Sequence, residues 1–351
     1  MSNALFVIAE KEFSDSFRNR TILAIFAIFF AISVIGIIGG IAEYQDTLDS
    51  YNELLSTAGT QERGLMDTRP SPMIIFGSVG ALLVTMGALL GITSGFDLIT
   101  RERETKSLKV LLSHPVFRDE VINGKAIGAG GALALIFAAT IAVSIALMLI
   151  TGIVPGGDEW SSIAIFSFSA FLMIIAYFAI ALCMSAISET SGTALVYTLI
   201  IFILLSGLLP VLIENGAADA IAGDAPTMPR MIQSVSIDSR EGGRNFQAMT
   251  ESEDFQKYRE DIQDWRSRRQ AVIDIASLFS PTMSFDSISD ALTSTSSMTV
   301  TVRSGPGGGM IAQTQASDTS ESILSHLLAL LAFPAIFFGI AYMRFMRMDL
   351  R

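Results

Sequence analysis

The 351-residue chain has a single cysteine and two histidines. Cys183 alone cannot close an internal disulfide, and no Cys/His spacing fits a zinc site. Charge is scarce as well. Lys, Arg, Asp and Glu make up 16% of the residues, against about 25% in soluble domains. The formal net charge of −11 leaves a nucleic-acid role without electrostatic footing. A P-loop is missing. Such a loop needs Gly, four residues, then Gly-Lys-Ser/Thr, so that backbone amides wrap the phosphates. At Gly124-Lys125 the position five before the glycine is Asp119 and the residue after the lysine is Ala126. There is no HExxH motif. No small-residue cleavage pattern follows the first apolar run, which is expected to remain as an uncleaved anchor.

What is present is hydrophobic: 51% of the residues, with a mean hydropathy of +0.53. Six runs are long enough to cross a bilayer, at 21–42, 73–96, 126–153, 161–186, 193–213 and 323–343. None has a charge at its centre, and in lipid such runs must be helices. Lys and Arg concentrate before the first run, in the loop 97–125 and in the tail, which fall on one side of the membrane if there are six spans. The loop 154–160 on the other side has neither. The positive-inside rule therefore predicts both termini cytoplasmic. His114 and His326 then lie on opposite sides and cannot share a metal, and no metal site is expected. Asp97, Glu189 and Glu214 sit only at span ends, which disfavours an ion-coupled carrier.

The expected fold class is an all-α membrane protein of six transmembrane helices, with an amphipathic N-terminal interfacial helix and a small mixed exterior domain between spans five and six. Residues 1–20 form the interfacial helix, with Leu5, Phe6, Ile8, Ala9, Phe13 and Phe17 interleaved among charges. Residues 21–213 hold the first five spans. Residues 214–322 form the exterior domain, helical over Glu251–Phe279, with strand-like pieces at Met231–Ile237 and Met298–Val302 and turning chain at 305–309. Residues 323–351 hold the sixth span and the tail. Gly87, Gly91 and Gly95, and again Gly124 and Gly128, recur every four residues and predict close helix packing. Pro334 predicts a kink in the sixth span, and Pro210 sits near the end of the fifth. The methionines of the loops are scattered, which suits packing better than copper binding.

The segment 101–118 is too apolar for a free loop. Charges cluster at its start, Leu108, Leu111 and Leu112 share a face, and Pro115 ends the helix. A short amphipathic helix of this kind can dock in a partner's groove. The run resembles the signature of ABC-2-type ABC transporter permeases, especially the branch that includes the permease for nitrous-oxide-reductase maturation. The matching residues are Glu102, Arg103, Glu104, Leu108, Leu111, Leu112, Ser113, Pro115, Val116, Arg118, Gly124 and Lys125. It departs at Lys106, where Gly is usual, and at Ser107, where Thr is usual.

This resemblance implies a permease subunit of an ABC transporter in the cell membrane; the excess of Arg over Lys and of acids over bases is compositional drift or the mark of a prokaryote, archaea included. Two permease chains, identical or related, would form the transport path. A separate ABC ATPase would bind ATP and Mg and dock on 101–118. Glu102, Arg103, Glu104 and Arg118 would make charged contacts with it, Leu111 and Leu112 would fill its groove, with Leu108 a further coupling residue on their face, and Pro115 would end the docking helix. No cofactor and no catalytic residue is expected in this chain. The membrane lipid and an exterior protein are further expected partners. An alternative stays open: an ATP-driven assembly that pulls on an exterior partner without moving a substrate. The residues alone also allow 101–118 to be a solvated loop that only sets topology, and Gly124-Lys125 to be a helix start with an interfacial anchor.

Overall fold

The computed structural model describes residues 2–57, 70–107, 117–227, 253–294, 303–304, 310–311 and 319–348. Its elements are helices α1 (Ser2–Arg18), α2 (Arg20–Thr57), α3 (Met73–Gly95), α4 (Thr100–Glu104), α5 (Arg118–Ile150), α6 (Gly157–Ile187) and α7 (Ser191–Phe202). They continue with α8 (Leu209–Leu212), α9 (Ala218–Ala222), α10 (Glu253–Ser277), α11 (Pro281–Ser294) and α12 (Thr319–Met346). A short antiparallel pair joins β1 (Arg303–Ser304) to β2 (Met310–Ile311). The strand-like pieces expected at Met231–Ile237 and Met298–Val302 lie outside the described residues.

Among the described residues, six helical stretches are long and apolar enough to cross a membrane: Arg20–Glu53, Met73–Glu104, Arg118–Ile150, Gly157–Ile187, Ser191–Leu212 and Ile323–Met346. The protein is an all-α membrane protein with six such spans. The fourth is central, with 72% of its most apolar stretch buried, whereas the fifth has 6% and lies at the periphery. α6 packs against α3 and α12, α2 against α3, and α1 along α5.

Glycine sets the two closest approaches. A Cβ on Gly91 would run into the carbonyl oxygen of Ile174, and one on Gly95 would come within 2.7 Å of Phe178 O. Gly87 faces Met173 and Ile174 at 3.1–3.2 Å. These three place α3 directly on the α6 backbone. Gly124 and Gly128 face α1 instead, where a Cβ would meet Ile8 and Leu5 O at 2.9–3.0 Å, or the Ala9 carbonyl. Small residues at this spacing let backbones approach. α1 therefore lays Ile8 and Ala9 on α5 and leaves Phe6 and Val7 exposed.

The fifth span is not a plain α-helix. π-helical turns at Ile203–Leu208 and Ile213–Ala217 flank α8, which contains Pro210. Proline lacks the N–H that the i−4 carbonyl needs and crowds that carbonyl, and a shift to i→i+5 bonding relieves both. The π stretch carries Ser206, whose Oγ lies 2.6 Å from Tyr177 Oη and accepts from Thr282 Oγ1 at 3.1 Å.

α11 was not anticipated. It follows the charged helix α10 and packs against α3, α6 and α12. Phe285, Ile288 and Leu292 form its buried stripe. Phe166 packs between Phe76, edge-on, and Phe285, tilted, with ring centroids 5.5 and 5.4 Å apart. The segment between spans five and six thus returns a helix into the bundle. α10 closes onto α9 through Arg269 Nε to Asp219 Oδ1 at 2.7 Å and Trp265 Nε1 to Gly223 O at 2.7 Å.

Candidate functional site

The second span turns a corner after Gly95. Phe96 N–H still reaches Ile92 O, and the chain re-enters a helix at Thr100. Serines on neighbouring helices fix the corner. Ser185 Oγ accepts from the N–H of Ile99 at 3.0 Å and of Thr100 at 3.1 Å. Thr100 Oγ1 lies 3.0 Å from Ser191 Oγ. Ser185 and Thr100 are fully buried. α4 is therefore anchored on the junction between α6 and α7.

Glu102, Arg103 and Glu104 are consecutive, and successive helical residues point roughly 100° apart. They reach three different neighbours. Arg103 Nη1 donates to Ser188 O at 3.0 Å. Glu104 accepts from Ser191 N at 2.8 Å and from Ser191 Oγ at 3.1 Å. A carboxylate at this helix N-terminus satisfies an orphan donor and complements the helix dipole. Glu102 turns the other way, toward α1 and α5. Its Oε1 is 2.9 Å from Lys125 Nζ and 3.3 Å from Lys11 Nζ.

Lys125 is the centre of this arrangement. Its side chain is 2% exposed, and its Nζ also lies 2.7 Å from Glu12 Oε1. Lys11 Nζ is 3.3 Å from the same Glu12 oxygen. A buried ion is costly unless it is paired. Here two carboxylates and two ammoniums balance, with Lys125 inside and Lys11 at the mouth. Burial works against the Lys11 charge, but Glu12 and Glu102 outweigh it and hold its pKa above the usual lysine value. Glu102 Oε2 is buried and has no hydrogen-bond partner among the described residues. A cavity of about 500 Å3 opens beside the cluster, with Asp15, Arg18, Asp97, Arg101, Thr105 and Ser107 also in its wall.

Of the residues singled out in the sequence, α4 brings Glu102, Arg103 and Glu104 together. Arg118 goes elsewhere: its Nη1 donates to Met346 O, the last carbonyl of α12, at 3.2 Å and to Met348 O just beyond the helix at 2.8 Å. Leu108, Leu111, Leu112 and Pro115 lie outside the described residues, as does His114. Glu12 and Lys11 were missed. The signal for Glu12 was its place four residues after Ile8, on the face of α1 that turns to α5. The signal for Lys125 was a charge within an apolar stretch.

The model of the ABC-2 family transporter proteins matches residues 6–350 of this chain. The chain belongs to the ABC-2 transporter family. It is also 32% identical over 133 residues to a probable ABC transporter permease protein NosY of Stutzerimonas stutzeri, covering 38% of this chain and 41% of that protein. The corresponding protein of Pseudomonas aeruginosa is 30% identical over 151 residues, covering 43% and 47%. The matched stretch thus spans less than half the length of either relative. In this ABC-2 chain the departure at Lys106 has a physical meaning. Lys106 has φ +59°, in the left-handed region, directly after α4. Glycine ends a helix there without steric cost, which accounts for the glycine of the pattern that the segment resembles.

Proposed function

We propose that this ABC-2 chain is the permease subunit of an ATP-driven exporter, working with a second permease chain and a separate ATPase. The ATPase docks on residues 101–118 from the cytoplasm, and both termini lie on that side. The observation that carries this reading is the fixing of α4. A segment that receives force must pass it on rather than flex, and α4 is tied to α6 and α7 through Ser185, Ser188 and Ser191 and to α1 and α5 through Glu102. The family match over residues 6–350 supports the same reading, as does the likeness to the two probable ABC transporter permeases.

Mild-detergent purification of the tagged chain from its native membrane, with mass spectrometry of what accompanies it, tests the proposal. A Walker-motif ATPase in stoichiometric amount is the expected result. Its absence across several detergents overturns the docking reading. An assembly that hydrolyses ATP and retains an exterior protein, yet moves no substrate, replaces export by force transmission. Orientation is tested separately in a Cys183→Ser background, where Ser107→Cys is expected to resist labelling by an impermeant thiol reagent from outside.

A further inference from the structure

The four-charge cluster joins elements that no backbone hydrogen bond connects. Glu12 belongs to α1, Glu102 to α4 and Lys125 to the first turns of α5, and one ammonium touches both carboxylates. We propose that Lys125 is a positioning residue for energy coupling: it fastens the ATPase-docking segment to α1, so that α4, α1 and the start of the third span move as one body. The inference rests on the proposed docking of the ATPase at 101–118.

Three observations carry it. Lys125 is buried within an otherwise apolar face of α5, between Ile122 and Ala129, where an apolar side chain would pack without needing partners. The charge is not required for packing, because Gly124 and Gly128 already bring α1 onto α5 in backbone contact. What the ammonium adds is a tie to Glu102. Electrostatic attraction between side chains as buried as Lys125, Glu12 and Glu102 is strong and falls off slowly with distance, so the tie resists separation in a way apolar contact does not. On its other side α4 is held by hydrogen bonds to the α6–α7 junction. Lys125, at 2.9 Å the nearer and buried partner of Glu102, thus links this junction to α1 together with the more exposed Lys11 at 3.3 Å.

The test uses the full chain with its ATPase, in a Cys183→Ser background. Spin labels go on two exposed positions outside the cluster, Glu10→Cys on α1 and Glu189→Cys at the α6–α7 junction. In the parent the distance distribution is expected to be narrow. In Lys125→Met it broadens, and kcat for ATP hydrolysis per assembled complex falls roughly 2- to 30-fold, with KM for ATP unchanged. Lys125→Arg restores both. A distribution as narrow as the parent's, or an unchanged kcat per assembled complex, overturns the proposal, because a merely structural lysine lowers the yield of folded protein and not the turnover of what assembles. If Lys125→Met does not fold, Glu102→Gln neutralises the carboxylate at which both Lys125 and Lys11 reach α4; the same broadening is expected, and its absence overturns the proposal. If no ATPase accompanies the parent chain, the docking reading fails, and the label distances decide whether Lys125 holds α1 to the junction.

Discussion

The two ends of the bundle are held by different chemistry. At the α1–α4 end, beside the serine and threonine contacts that hold α4 to α6 and α7, ions are in contact: Lys125 between Glu12 and Glu102, with Lys11 at the mouth. At the α11 end the polar groups in contact are hydroxyls. Tyr177 Oη, Ser206 Oγ, Thr282 Oγ1 and Ser280 Oγ form a chain with steps of 2.6, 3.1 and 2.8 Å. A neutral hydroxyl that loses one partner gives up a modest amount of free energy, whereas a buried ion that loses its counter-ion is left in a medium that does not tolerate it. The first end is built to stay together, and the second can open by small steps.

The largest test of this contrast is a pair of substitutions. Lys125→Met leaves Glu12 and Glu102 with only the half-exposed Lys11, 3.3 Å from each, and should cost about 3 kcal/mol, the low end for a broken buried pair. Tyr177→Phe removes one hydroxyl and should cost about 1 kcal/mol. Thermal unfolding of the detergent-solubilised protein compares them. Equal losses would break the contrast.

A second pair compares the packing. Gly128→Ala drives a methyl group into the Ala9 carbonyl, with Glu12 Cβ 2.8 Å away, and neither can rotate aside. Gly80→Ala meets Ser289 Oγ at 2.8 Å, a side-chain atom that can turn. The first should cost about 1–3 kcal/mol, as for overpacking in a core, and the second well under that. A shift in melting temperature at Gly80→Ala as large as that at Gly128→Ala would place rigid packing at both ends.

How much of this could be read in advance depended on the range of the interaction. The six spans were legible because an apolar run of membrane length has one solution in lipid. The glycine rows were legible as packing faces, though not which helix each would meet. The partnership of Glu12 with Lys125 joins residues 113 apart in sequence, and a single sequence carries no record of such a pair. The fifth span read as one uniform run, and only the backbone consequences of Pro210 divide it into π-helical turns. α11 was missed although Phe285, Ile288 and Leu292 recur at helical spacing. Its Ser, Thr and Asp residues made 281–294 resemble the Ser/Thr-rich chain that follows.

Acidity should separate the two ends further. Burial among the helices pushes the Asp286 carboxyl on α11 from 3.8 up to about 7, and the neighbouring Asp290 adds to the shift. An acid raised in the fold contributes stability that is full below its unfolded value and is lost as pH climbs through the folded one. α11 should therefore dock more firmly at pH 5 than at pH 8. The side chain is exposed on its outer edge, so water screens the effect to about 1 kcal/mol or less. Lys11 shifts upward from 10.5, and its contribution stays intact across that window. Hydrogen exchange, corrected for the intrinsic pH dependence of the rate, should show protection of α11 falling from pH 5.5 to 8.5 while α1 changes little. Asp286→Asn should flatten the α11 response. A slope that survives this substitution would assign the sensitivity to another group.

The smallest expected effect is a gain. Lys106 ends α4 with φ +59°, a conformation that costs an L-residue roughly 1–2 kcal/mol. Glycine adopts it freely but gives up about 0.5–1 kcal/mol in backbone entropy. Lys106→Gly should therefore stabilise the chain by about 0.5–1 kcal/mol, seen as a small rise in melting temperature. The change acts on the backbone after Glu104, so it should tighten the ionic end and leave the hydroxyl end as it was. Protection of Thr100–Glu104 against hydrogen exchange should rise, with α11 unaffected. A fall in melting temperature would mean that the lysine side chain contributes more to holding α4 than its backbone strain takes away.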